Sequence, residues 1–258
     1  MSPWVLRGLR DGVVTTRWPA RPDPYADGWR GPATIVGQGD DTAGLASICP
    51  TGAIGAGAAL SLDQGRCILC GRCVQERPDL FAWSCGAAAA ALSRTGLVVP
   101  ELAETDEGLA TVRSALAART AALRRSVHLR HVDAGSDGAE EQEIAALVNP
   151  VYDIHRLGIF FTASPRHADV LLVSGAGARG MAEPLRRTHA GMPDPKIVIA
   201  VGTDAVSGGL LGGGSDPAPR GVGGVVPVDV WVPGSPPPPF AILQGLLAGL
   251  GRLAAARR

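Results

Sequence analysis

VLLVSGAGARGMAEPLRRTHAGMPDPKIVIAV, residues 170–201, sets the fold of the larger part of this 258-residue chain. Val170–Ser174 and Ile197–Val201 are unbroken apolar, β-branched runs. That is the pattern of strands covered on both faces, as in a parallel sheet. Each run ends at a glycine, Gly175 or Gly202, and the intervening Ala182–Gly191 suits a helix, so together they read as a strand–helix–strand unit. Val225–Val232 reads as a further strand stopped by Pro236–Pro239, and Ile242–Arg258 as a closing amphipathic helix with a basic end. Gly208–Gly224 reads as a loop whose glycine spacing is too weak to specify a phosphate cradle.

Working outward, the helical spacing of Leu102, Leu109, Val112, Leu116 and Leu123 predicts a connecting helix over residues 101–125. Acidic residues crowd its start and Arg119, Arg124 and Arg125 its end, as the helix dipole favours. Residues 36–100 hold every cysteine and alternate short apolar runs with turns. Residues 1–35, broken by Trp18-Pro19 and Pro22-Asp23-Pro24, read as an extended arm lying on the domain or a partner. The chain thus divides into an arm (1–35), a cysteine domain (36–100), a linker helix (101–125) and an α/β domain (126–258).

Lys plus Arg and Asp plus Glu number 24 each, so there is no basic excess to recruit nucleic acid. No stretch reaches the about 20 apolar residues of a membrane span, and no export signal opens the chain, so a cytoplasmic protein is expected. Five cysteines in such a setting point to metal binding rather than a disulfide framework.

Cys67-x-x-Cys70-x-x-Cys73 puts three thiols in one tight loop, with Gly71 permitting the turn, and Cys49 is followed by Pro50. In the bacterial ferredoxin run C-x2-C-x2-C-x3-C-P, the fourth cysteine serves the other cluster of a pair. Cys49 is then the last ligand of one run and Cys67, Cys70 and Cys73 the first three of a second, a full set for one [4Fe–4S] cluster. The remaining cysteines of both runs would fall at Gly39, Thr42, Leu45 and Arg77, so the second cluster has no ligands. The alternatives are a structural zinc site, although zinc usually takes two separated C-x-x-C pairs, or vestigial cysteines. Cys85 reads as a small apolar residue and stays unassigned. Arg77, next to the cluster loop, is expected to favour the reduced cluster.

With these cysteines, the arm Gly12–Pro19 and Arg30-Gly-Pro32, residues 1–100 resemble the ferredoxin-type subunit of complex I and of membrane-bound [NiFe] hydrogenases. Residues from Val127 onward are similar to the small, proximal-cluster subunit of the same assemblies. The matching segments are Leu147-x-Asn-Pro-x-Tyr-Asp153, Arg156–Ile159, Ala163–Leu171, Pro195-Lys196, Val201-Gly202 and Pro227–Gly234. The resemblance implies a ferredoxin-like cluster domain followed by a flavodoxin-like parallel-sheet domain. It also implies a large catalytic-type subunit and membrane subunits as partners, at the cytoplasmic face of the membrane. The four proximal-cluster cysteines of that family would fall on Asp137, Glu140, Asp204 and Ser235, so no cluster is expected in the second domain. The carboxylates either gather a hard cation or turn to water or a partner. His128, His131, His155, His167 and His189 lack metal-ligand spacing and read as surface or interface residues. The expected function is electron transfer through one [4Fe–4S] cluster. The alternative is a structural or assembly adaptor, or a redox sensor.

Overall fold

The computed structural model describes residues 3–37, 44–56, 59–100, 106–121, 123, 126–211 and 220–253. The amino-terminal segment is more structured than an extended arm. Helix α1 (Pro3–Asp11) is followed by α2 (Pro24–Asp27), whose start is capped by the Asp23 side chain accepting from the Tyr25 N–H. Strand β1 (Arg30–Ile35) then lies antiparallel to β4 (Phe81–Cys85), with Ala33 opposite Trp83 and Ile35 opposite Phe81. That pairing partner lies far along the chain, which is why local pattern does not disclose the strand.

Between these strands run α3 (Leu45–Ile48), β2 (Ile54–Ala56), β3 (Leu60–Asp63) and α4 (Arg72–Glu76). With β5 (Val98–Val99) they complete a three-stranded antiparallel sheet of order β2-β3-β5. Ala33, Leu45, Ile54, Leu62, Leu80 and Phe81 form a small core under this region, and Cys49, Cys67 and Cys73 pack against it. Gly39 and Thr42 lie outside the described residues.

The connecting helix, α5, runs from Asp106 to Thr120, and its predicted acidic start lies mostly outside the described residues. Leu116 is buried and Val112 is exposed, while Leu123 is buried beyond the helix end. Arg119 pairs with Asp229, whose other carboxylate oxygen accepts the Val198 N–H at 2.9 Å.

From residue 126 the chain builds the expected parallel sheet from β6 (Val127–Asp133), β7 (Ile159–Phe161), β8 (Val170–Ser174), β9 (Ile197–Val201) and β10 (Val230–Val232). The spatial order is β10-β9-β8-β6-β7 with every pairing parallel. Counted within the domain this is 2-1-3-4-5, the flavodoxin-like order with its switch point between the first and third strands. Helices α6 (Ala139–Ala146), α7 (Arg179–Ala190), α8 (Thr203–Ser207) and α9 (Pro239–Gly249) connect and cover it. All five side chains of β8 and of β9 are buried, as their unbroken apolar runs predict.

Two expectations need correction. The third strand begins at Val230 rather than Val225, because Val222–Gly224 form a 3-10 turn and Pro227 has no N–H for a ladder. The closing helix begins at Pro239, since prolines are tolerated in a first helical turn, and it is buried nearly all round rather than amphipathic. Gly245 and Gly249 allow this close seat: a Cβ on either would lie 2.5 Å from Val232 or 2.9 Å from Val230. Arg252, past its end, donates to the carbonyls of Leu157 and Leu123.

The core on the α9 face of the sheet also takes in Ala26 and Ala87, with Trp18, Ala90 and Leu92 packed against it. Leu97 belongs to the core on the opposite face. Ala91 and Trp231 exchange main-chain hydrogen bonds of 2.9 and 2.8 Å beside β10.

Candidate functional site

Two loops bring the predicted cysteines together. The first is the turn after α3, where Cys49 Sγ receives the Ala53 N–H at 3.3 Å. The second is the Cys67–Cys73 run, whose backbone reverses at Leu69 (φ 58°) and Gly71 (φ 77°) before α4 begins. Thr51 ties the loops together by donating its hydroxyl to the Arg66 carbonyl at 2.7 Å. Cys49, Cys67, Cys70 and Cys73 all line one cleft, with Ile48, Ile54, Leu62 and Trp83 among its apolar walls. Cys70 is exposed and the other three are half-buried. Cys85, at the far end of β4, is exposed and does not line the cleft.

Glycine is required at position 71. Its φ is positive, and a Cβ there would lie 3.0 Å from the Trp83 ring. Trp83 is held in turn by the Arg30 guanidinium, 5.2 Å from the ring centroid on the neighbouring strand. Sequence reading missed Trp83, because only the β1–β4 register brings it to the cysteine loop.

Burial pushes the Cys73 thiol up to about 11, with the Cys67 sulfur adding repulsion. Burial also raises Cys67, against N–H groups of Ala33 and Leu69 that favour its thiolate. A positive charge entering among these sulfurs would favour their ionisation. The Arg77 guanidinium, just past α4, engages the Asp79 carboxylate at 2.7–3.2 Å. Among the described residues no three His, Cys, Asp or Glu side chains are drawn tightly enough to hold a single metal ion. The four cysteines share the lining of one cleft.

The other predicted positions lie beyond the carboxyl ends of the parallel strands: Asp137 after β6, Asp204 after β9 and Ser235 after β10. Glu140, in the first turn of α6, is 2% exposed. Its carboxyl lies over Gly202, where a Cβ would come within 2.4 Å of Oε1, and its Oε2 has no hydrogen-bond partner. Burial, together with the charges of Asp204 and Asp137, raises Glu140 to about 7. Burial and Asp137 also raise Asp204. Three of the four positions are therefore electrostatically coupled, and the expectation of solvated side chains fails at Glu140. Asp137 and Ser235 are exposed.

Thr203 was not foreseen, although it neighbours Asp204. It is fully buried and donates its hydroxyl to the Cys67 carbonyl at 2.9 Å. A second network spans the switch point. Ser174, fully buried at the end of β8, donates to Glu141, which also accepts from Ser136 at 2.7 Å. With that hydrogen committed, His131 Nε2 is the donor to Ser174 Oγ at 2.8 Å. His131 is thus part of a hydrogen-bonded network rather than a plain surface residue, and burial lowers its pKa.

Residues 138–249 match the family model described as NADH ubiquinone oxidoreductase, 20 Kd subunit. Formate hydrogenlyase subunit 7 of Escherichia coli (strain K12) is 38% identical over 161 residues, 60% of this chain and 59% of that protein. The probable membrane-bound hydrogenase subunit mbhJ of Pyrococcus furiosus is 42% identical over 132 residues, 51% of this chain and 78% of that protein. A chain of the membrane-bound sulfane sulfur reductase, an archaeal respiratory membrane complex, is 28% identical over 51% of this chain and 72% of its own, with a TM-score of 0.45. This chain therefore spans a little over half the length of the first of these relatives. No helix among the described residues is long and apolar enough to cross a membrane.

Proposed function

Because the chain belongs to the family of the 20 Kd subunit of NADH ubiquinone oxidoreductase, we propose that it is an electron-transfer subunit of a complex I-like or hydrogenase-like assembly. In this reading Cys49, Cys67, Cys70 and Cys73 hold one [4Fe–4S] cluster. A large catalytic-type subunit and membrane subunits are its partners at the cytoplasmic face of the membrane. The observation that carries the reading is the convergence of four cysteines, from two separate loops, on one apolar-walled cleft. Four soft thiolates suit iron–sulfur chemistry. A cluster, being larger than an ion, asks for donors spread around a cavity, whereas tetrahedral zinc draws sulfurs to about 2.3 Å from one centre.

When bound, such a cluster accepts and returns one electron. The chain's own residues provide the rest. Cys49 is oriented by the Ala53 N–H and the Cys67 run is turned by Leu69 and Gly71. Ile54, Leu62 and Trp83 limit water around the sulfurs, which with hydrogen bonding sets a potential. In the second domain Asp137, Glu140, Asp204 and Ser235 stand where the family has its proximal-cluster cysteines, and iron–sulfur clusters prefer soft thiolates to a set made only of oxygen donors. That domain is then a scaffold.

An adaptor without electron transfer is the second reading, favoured by the lack of thiols in the second domain's crevice. Anaerobic purification with iron, sulfide and zinc analysis separates the two. About four irons and four sulfides per chain, with an EPR signal after dithionite reduction that is lost in Cys70→Ala, are expected. Zinc without sulfide would leave the adaptor.

A further inference from the structure

The loops that leave the carboxyl ends of β9 and β10 also grip the cysteine loop of the first domain. Thr203 Oγ1 donates to the Cys67 carbonyl at 2.9 Å and itself accepts the Gly234 N–H at 3.3 Å. Its own N–H donates to the Gly234 carbonyl at 2.6 Å, so one buried residue joins both second-domain loops to the first cysteine of the run. Two residues on, Leu69 lines a separate cleft with Pro233, Gly234, Pro238 and Ala241. Leu69 is also one of only two non-glycine residues with positive φ among the described residues. An L side chain enters that region at a cost and stays there when neighbours determine the conformation. Beside these contacts, Val206 of α8 and Arg94 both close on Gly65, where a Cβ would lie 2.8 Å from each, and Arg94 forks onto Asp63 at 2.8 and 2.6 Å.

We infer that the second domain acts as a clamp on the cluster loop, with Thr203 as a positioning residue that fixes the Cys67 peptide and Leu69 as the wedge that holds the reversal of the run. This rests on the reading that Cys67, Cys70 and Cys73 ligate a cluster. The thiol-free crevice then sets the aim of Cys67 and the polarity behind it. The Thr203 hydroxyl points its hydrogen at the Cys67 carbonyl, so its positive end faces the loop and favours the more negative, reduced state of a cluster there.

The test uses the full chain, purified anaerobically, as wild type, Thr203→Val, Thr203→Ser and Leu69→Ala. Iron and sulfide are counted first, then the midpoint potential and the rate of iron loss to a ferrous chelator are measured. Thr203→Val, nearly isosteric, is expected to keep four irons but to lose them several-fold faster. Its potential should fall, shifting the oxidised-to-reduced ratio about threefold, where tenfold corresponds to about 59 mV for one electron. Thr203→Ser should restore both values. Leu69→Ala, which leaves the Thr203 hydrogen bond intact, should speed iron loss and serves if Thr203→Val does not fold. Four irons in the wild type with unchanged potential and iron loss in both Thr203→Val and Leu69→Ala would overturn the clamp and leave the cluster reading standing. A wild type without iron and sulfide would overturn both.

Discussion

Changing Glu140 to glutamine removes one ionisation from the crevice at nearly constant volume. In the folded chain the Glu140 carboxyl is raised from 4.5 to about 7, first by burial and then by Asp204 and Asp137. A raised carboxyl pKa means the folded state holds the proton more tightly than the unfolded chain. The stability this confers is complete below about pH 4.5 and is lost as pH rises through about 7. At about 1.4 kcal/mol per pH unit, that interval is worth at most about 3.5 kcal/mol. Exposed Asp137 admits water to the crevice mouth and brings the expected figure nearer about 2. Glutamine cannot ionise, and its amide takes the place of the protonated acid with the Oε2 position unpartnered in both, so the two proteins should be equally stable at pH 4.5. At pH 8.5 the variant should be the more stable by about 2 kcal/mol. Urea unfolding of both proteins across this range, under anaerobic conditions, measures the difference directly, and titrations common to both cancel. Parallel pH profiles would refute the reasoning, since they would mean that Glu140 ionises freely in the folded state.

Two further outcomes follow from packing. Gly71→Ala places a methyl 3.0 Å from the Trp83 ring on a positive-φ backbone. It should cost about 1–3 kcal/mol and lower the iron content of the purified protein, as read by thermal melts and metal analysis. Leu246→Ala opens a cavity in the buried helix α9, which should destabilise the chain by about 2–5 kcal/mol in urea while leaving the EPR signal of the folded fraction unchanged.

The sheet was legible where burial on two faces writes an unbroken apolar run, as in β8 and β9, because that pattern depends on the strand alone. It was not legible for β1, whose neighbour β4 lies far along the chain, nor for β7, whose Phe160 and Phe161 are partly exposed at the sheet edge. Helix α9 misled because reading it on to the basic end of the chain lent it a polar side that Pro239–Gly249 itself lacks. The cysteine cleft was readable from spacing, since three of its cysteines share one loop and Cys49-Pro50 carries its own signature. The position of Glu140 followed from the resemblance but its burial did not, because an acidic residue opening a helix ordinarily faces water, and only its seat on Gly202 turns it inward. Thr203 escaped notice because its partner is a main-chain carbonyl, and main-chain groups leave no mark in a sequence.

The contacts that join Thr203 to Cys67 and Ala91 to Trp231 are made within one chain. Between separate subunits, such a junction would be occupied according to concentration and would part on dilution. A covalent tether replaces that dependence with an effective concentration on the order of millimolar, whatever the amount of protein present. The register between the cysteine loop and the sheet is accordingly indifferent to copy number, and cutting the chain between β5 and β6 would expose it to mass action.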